Sequence, residues 1–115
     1  MDYINAHATS TPLGDEVEVR SIKSIFKNEI SRIWVNSTKS IIGHCLFSAG
    51  IIELIACIQQ MNQGFIHPNL NLVDPIDSNL RFAGKKSVDT DINIAMSNSF
   101  GFGGINTSLI LKGSD

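Results

Sequence analysis

Apolar and polar positions change rhythm several times along the chain. The opening "MDYINA" (1–6) is short and half apolar, and predicts a strand feeding a loop at His7. Thr11 followed by Pro12 fits a helix start, with proline at the first helical position and Asp15 and Glu16 in the first turn. Val17, Ile22, Ile25 and Phe26 then recur at helical spacing and predict a buried face, with Glu16, Arg20, Lys23 and Lys27 turned to water. "RIWVNS" (32–37) is β-rich and predicts a buried strand. A second helix is expected over about 44–63, terminated by Gly64. The two prolines in 65–79 predict an extended connection, and "LRF" (80–82) an edge strand. "DINIAMSNSF" (91–100) and "INTSLILK" (105–112) predict two strands joined by "GFGG". Helix and strand patterns alternate before a closing hairpin, so the fold class is α/β with a mixed sheet.

The second helix sets a problem of its own. Between Cys45 and Ile58 it is apolar on almost every side. A helix apolar all round must be covered all round, and the remaining elements amount to one long helix and a few short strands. The expectation is a fragment, or a chain packed against a large partner. The same run is shorter than the roughly 20 residues a membrane span requires, and Glu53 interrupts it.

Composition narrows the function classes. A hydrophobic fraction of 43% with 17% charged residues is ordinary for a folded domain. A net charge of −2 offers no electrostatic footprint for nucleic acid or an anionic membrane. No basic stretch precedes an apolar one at the N-terminus, so no signal peptide is expected. Cys45 and Cys57 fit neither a disulfide framework nor a CxxC metal spacing, and favour a reducing cytoplasm. With no signal peptide expected and no run long enough to span a membrane, the expectation is a soluble protein.

Two stretches concentrate polar chemistry ahead of helices: "NAHATSTPLGD" (5–15) and "NSTKSIIGHCLFSAG" (36–50). His7 and His44 each end a β-like segment or loop, at the kind of position where α/β folds collect ligands. A neutral imidazole N–H held toward a carbonyl oxygen stabilises developing negative charge there. The alternatives are satisfied structural histidines or a metal pair, the latter without HExxH or clustered carboxylates. Glu53, alone in an apolar helix, either lies on an exposed stripe or meets a cation, for which Lys39 is the candidate. His67, before Pro68, reads as structural or solvent-exposed. "SNSFGFGGIN" (97–106) lacks the GK[ST] of a phosphate loop. It is either a plain hairpin turn or one whose glycines let backbone N–H groups approach a ligand.

Together these stretches resemble the C-terminal part of the β-ketoacyl-[acyl-carrier-protein] synthases of the thiolase superfamily. "NAHATSTPLGD" is similar to the family's first histidine motif, "STKSIIGH" to its lysine and second-histidine motif, and "NSFGFGGIN" to its gating loop. The resemblance runs from Tyr3 to about Lys112, and its wording is closest to type II elongating enzymes and polyketide ketosynthase domains. It implies a partial thiolase-like fold: a C-terminal half-domain over 1–115, with a mixed sheet, a buried central helix and a covering helix. The activity implied is decarboxylative Claisen condensation of a malonyl unit with an acyl thioester, in fatty acid or polyketide synthesis. His7 and His44 would hold the malonyl thioester carbonyl. Lys39 would be the family lysine, Glu53 its partner, and Asp15 a member of the same network. Thr9 and Thr11 would contact the pantetheine arm, Phe100 and Phe102 would bind substrate at the gating loop, and Leu46 would line the acyl pocket. No metal or cofactor is implied, the phosphopantetheine arm arriving as part of the carrier-bound substrate. Implied partners are an acyl carrier protein, the missing N-terminal segment or a second chain, and a dimeric mate.

Departures from the pattern qualify these implications. Ala8 stands where the family has glycine, and Phe47 replaces another glycine, one turn into the expected buried helix. The family's nucleophilic cysteine lies in an N-terminal portion not present here, and Cys45 and Cys57 are expected to be small buried hydrophobes. Without the nucleophile no acyl-enzyme forms, so the isolated chain should not condense anything. The rivals are a non-catalytic subunit akin to chain-length factors and a malonyl-carrier decarboxylase.

Overall fold

The computed structural model describes residues 1–114. Strands β1 (Tyr3–Asn5) and β2 (Trp34–Asn36) flank helix α1 (Pro12–Phe26), and a 3-10 turn (Lys27–Arg32) leads into β2. One helical turn, α2 (Lys39–Ile42), and a 3-10 turn (Leu46–Ser48) precede the long α3 (Ala49–Gln63). The short strands β3 (Phe65–Ile66), β4 (Arg81–Phe82) and β5 (Val88–Asp89) follow, and the hairpin β6 (Ile94–Phe100) and β7 (Asn106–Lys112) closes the chain. The main sheet has the order β4-β2-β1-β6-β7, parallel except for the antiparallel β6–β7 pair. β3 and β5 form a separate antiparallel ribbon. The α/β class, the mixed sheet, the closing hairpin and the edge position of β4 agree with the sequence reading. Among the described residues, no helix is long and apolar enough to cross a membrane.

Strand alternation sends successive side chains to opposite faces of the sheet. Ile4, Ala6, Val35 and Met96 join Ile22, Ile30, Ile33 and Leu80 on the α1 side. Tyr3, Trp34 and Ala95 join Cys57, Ile66, Ala83 and Ile92 on the other side.

The buried face of α1 is rotated from the one expected. Ile22 is buried and Phe26 and Val19 pack against the core, whereas Val17 and Ile25 are exposed. The carboxylate of Glu18 is buried in their place. Glu18, Ile22 and Phe26 recur at intervals of four, and a buried carboxylate is tolerated there because backbone donors meet it.

The start of α3 also differs from expectation. The helix begins at Ala49 rather than His44, because Leu46 takes a positive φ of 49° that no α-helix accommodates. Its end is as expected: Gly64, at φ 68° and ψ 45°, caps the helix and donates its N–H to the Gln60 carbonyl. Expected to be a buried central helix, α3 is covered on one face only. Ala49, Glu53, Cys57 and Gln60 turn inward to the sheet, while Ile51, Ile55 and Ile58 are exposed.

Candidate active site

The site forms where the parallel strands β1 and β2 end. From β1 the chain passes through Ala6 to His7, and from β2 through Ser37 and Thr38 to Lys39. The His7 and His44 rings face each other edge-on, with centroids 5.6 Å apart and planes at 87°. The Phe100 ring, at the end of β6, lies 5.4 Å from that of His7. Burial, and then the Lys39 ammonium, hold His7 below the ordinary histidine range, so its ring is neutral near pH 7. His7 Nδ1 is buried with no hydrogen-bond partner among the described residues. His44 Nδ1 accepts the Leu46 N–H at 3.1 Å, so the neutral ring carries its proton on Nε2. The positive φ of Leu46 belongs to the same turn that brings this donor to the ring.

Lys39 and Glu53 form an ion pair with side chains only 5% and 2% exposed. An amide cradle completes the coordination of Glu53. Asn5 Nδ2 donates to it at 3.2 Å and to Ser97 Oγ at 3.2 Å, while Asn5 Oδ1 accepts the Thr38 N–H and hydroxyl at 3.0 and 2.8 Å. Lys39 and His44, with Thr9, Asp15, Glu18 and Asn36, line a cavity of about 540 Å³. Burial pushes the Asp15 carboxyl up, and its Oδ1 has no hydrogen-bond partner among the described residues.

The expected site residues do not all converge. His7, His44, Lys39, Glu53 and Phe100 come together, and Thr9 and Asp15 reach the cavity wall. Thr11 is exposed, with its hydroxyl 3.3 Å from that of Thr9. Leu46 is 71% exposed and outside the cavity, and Phe102 is fully exposed on the β6–β7 turn. In that turn Gly103 and Gly104 both sit at φ 80°, a conformation that favours glycine, and Gly101 donates its N–H to the Ile105 carbonyl at 2.7 Å.

Other single-residue expectations are corrected by position. Phe47 lies in the turn ahead of α3 and is fully exposed, so its bulk displaces no neighbour within this chain. Cys45, on the same turn, is half-buried rather than buried. Cys57 is fully buried as expected, and burial pushes its thiol up to about 12. Ala8 takes a positive φ of 29°, unfavourable for any residue with a Cβ. His67 is buried and structural: its Nδ1 lies 2.8 Å from the Pro68 carbonyl oxygen and its N–H donates to Gln60 Oε1 at 2.9 Å.

Comparison with known proteins places this arrangement. The C-terminal domain of β-ketoacyl synthases matches residues 1–73. The chain belongs to the β-ketoacyl synthase family. A 3-oxoacyl-[acyl-carrier-protein] synthase I, chloroplastic, of Hordeum vulgare is 49% identical over 113 residues, which cover 96% of the chain and 24% of the barley protein. The polyketide biosynthesis malonyl-ACP decarboxylase PksF of Bacillus subtilis (strain 168) is 40% identical over 112 residues, 97% of the chain and 26% of PksF. Among solved structures, a type II polyketide ketosynthase bound to a hexaketide and in complex with its acyl carrier protein superposes with a TM-score of 0.89. That match is 31% identical and covers 98% of the chain and 28% of the ketosynthase. The fold is therefore the ketosynthase fold in part, and the chain spans about a quarter of the length of the curated relatives it matches.

Several residues of this candidate site were not singled out from the sequence. Asn5, Asn36 and Gln60 are amides buried against Glu53 or His67, and Glu18 carries the backbone of the His7 loop. Asn5 had a signal, since a polar residue at the end of a buried strand just before His7 needs partners. Glu18 had only its spacing of four from Ile22.

Proposed function

We propose that the chain is the carboxyl-terminal portion, over 1–115, of a β-ketoacyl synthase that condenses a malonyl thioester with an acyl thioester. The observation that carries this reading is the pair of facing imidazoles beside the buried Lys39–Glu53 pair. With Nδ1 of His44 occupied by a backbone N–H, its Nε2–H is available to the malonyl thioester oxygen, and neutral His7 faces the same space. As the bond to the carboxylate breaks, CO₂ leaves and its electron pair passes into an enolate whose oxygen these donors stabilise. The enolate carbon then attacks the acyl carbonyl, and the thiolate that carried the acyl group departs. Donors set for a charge that exists only at the transition state accelerate the step rather than tighten ground-state binding. Lys39, fixed by Glu53, keeps a positive charge beside His7 and disfavours its protonation.

The nucleophile, the carrier-binding surface and the dimeric mate belong to the complete protein. A ketosynthase neighbour held with its acyl carrier protein supports a carrier as partner, and the phosphopantetheine arm enters with the substrate near Thr9. The exposed Ile51, Ile55 and Ile58 of α3 are where the rest of the synthase packs. A reducing compartment, the cytoplasm, suits two cysteines that form no disulfide. A second reading, a malonyl-carrier decarboxylase, is favoured by the 40% identity to PksF. The deciding experiment gives the complete protein malonyl-carrier and acyl-carrier and measures CO₂ and products. CO₂ with β-ketoacyl product supports condensation, and CO₂ with acetyl-carrier alone selects the decarboxylase. No CO₂ removes both readings and leaves a non-catalytic subunit.

A further inference from the structure

Lys39 and Glu53 reach each other from different elements, and one residue outside the pair is bonded toward both of those elements. His67 follows β3 directly and is buried. Toward α3, its backbone N–H donates to Gln60 Oε1 at 2.9 Å. Gln60 shares the inward face of that helix with Glu53, and its Nε2 is held by the Tyr3 hydroxyl at 3.3 Å and the Ala56 carbonyl at 3.2 Å. Toward the end of β2, Asn36 Nδ2 reaches the His67 carbonyl oxygen and also Nδ1, the latter at 3.1 Å. His67 Nε2 lies 3.5 Å from the hydroxyl oxygen of Thr38, the residue before Lys39. Thr38 donates to Asn5 Oδ1, and Asn5 Nδ2 donates to Glu53. A circuit of buried polar groups thus runs from Glu53 through Asn5, Thr38, His67 and Gln60, and returns along α3.

A neutral imidazole suits this place. A hydroxyl donates or accepts, so Thr38 is complementary to Nε2 in either neutral tautomer. At Nδ1 a bare nitrogen accepts from Asn36, and a protonated one donates to the Pro68 carbonyl oxygen at 2.8 Å. Protons on both nitrogens would set Nδ1–H against the Asn36 amide, and burial already holds His67 below the ordinary histidine range. We propose that His67 is a positioning residue for the Lys39–Glu53 pair, bracing the turn that carries Lys39 against the helix that carries Glu53. The catalytic consequence rests on the reading that this pair serves malonyl decarboxylation, whereas the brace itself stands on geometry.

The test uses the complete protein carrying His67→Asn, whose short amide meets Asn36 but stops before Thr38, and His67→Gln, whose amide extends to the Nε2 position. Rates are measured per folded molecule. In His67→Asn, kcat for CO₂ release should fall about tenfold with KM for malonyl-carrier little changed, the size of effect carried through a packed polar network. His67→Gln should recover most of that loss. Thr38→Val keeps the N–H to Asn5, loses the hydroxyl, and should slow release to the same extent. Adding it to His67→Asn should cost little more, because both substitutions cut one path. Release from His67→Asn at the unaltered rate, or a combined loss of about a hundredfold as for independent sites, would overturn the proposal. Should His67→Asn not fold, Thr38→Val is compared with Thr38→Ser. Slow release with valine and normal release with serine supports the proposal, and an unaltered rate with valine overturns it. If the unaltered protein releases no CO₂, the functional reading fails, and a crystal structure of His67→Asn still decides the brace. Lys39 parted from Glu53 supports it, and an ion pair kept in place overturns it.

Discussion

The two sides of the main sheet each bury one glutamate, and they solve the same electrostatic problem differently. On the α3 side Glu53 meets a side-chain cation, Lys39, with Asn5 filling out its coordination. On the α1 side Glu18 has backbone N–H groups and an amide. The rest of each side follows suit. The α1 side is an aliphatic cluster running from Ile4 to Met96, whereas Glu53 and Gln60 bring polar groups under α3. The α1 side supplies most of the aliphatic core and, through Glu18, carries the backbone of the His7 loop, while the α3 side holds the Lys39 ion pair. Ile51, Ile55 and Ile58 of α3 lie on the face turned away from the sheet and are exposed.

The largest effect should come from splitting the ion pair. In the complete protein, Lys39→Ala leaves Glu53 buried and unpaired and should reduce stability by about 3–5 kcal/mol, read from the denaturant midpoint. Replacing both partners with apolar residues, Lys39→Met with Glu53→Leu, should restore much of that stability without restoring CO₂ release. Recovery of neither property would mean that the pair also organises the fold. On the other side of the sheet, Ile33→Ala should cost about 3 kcal/mol by leaving a cavity among aliphatic neighbours, while the remaining folded molecules release CO₂ normally. A loss of CO₂ release per folded molecule would break the division between the two sides.

How much of this was legible depended on contrast within the sequence. A lone acid in an apolar helix made Glu53 visible, and a lysine just ahead of that helix made its partner visible. Glu18 shares α1 with Asp15 and Glu16, so no local contrast singled it out. Its partners are backbone groups, which every residue carries. The apolar α3 helix was legible as an element needing cover, but its first turn was not, because Leu46 takes its positive φ beside His44 rather than from propensity. Thr11, Leu46 and Phe102 were read from motif position alone, and the fold of this portion leaves them exposed.

Titration should separate the polar network from the rest. Burial, its largest cause, lowers both His7 and His67 from 6.5. Between the folded values and 6.5 the unfolded chain binds more protons than the folded one. Stability is therefore full above pH 6.5 and falls as pH drops through that window, and His67→Asn should flatten the fall. Asp15, raised from 3.8 by burial, acts in the opposite sense, its contribution being lost as pH rises through its folded value. A denaturant midpoint that does not change as pH falls below 6.5 would contradict this account. The smallest effect is expected from Ala8→Gly in the otherwise unaltered protein. It should stabilise by about 0.5–1 kcal/mol, as relief of the positive φ outweighs the added freedom of glycine in the unfolded chain. Destabilisation would mean that the turn imposes no strain.

The most direct test of the central claim is CO₂ release from malonyl-carrier by the complete protein bearing His44→Ala. Loss of the Nε2–H donor should slow decarboxylation by about 10²–10³. Acyl transfer to the synthase nucleophile, measured in the same sample, should continue. Decarboxylation at the unaltered rate, or loss of both steps together, would contradict the assignment.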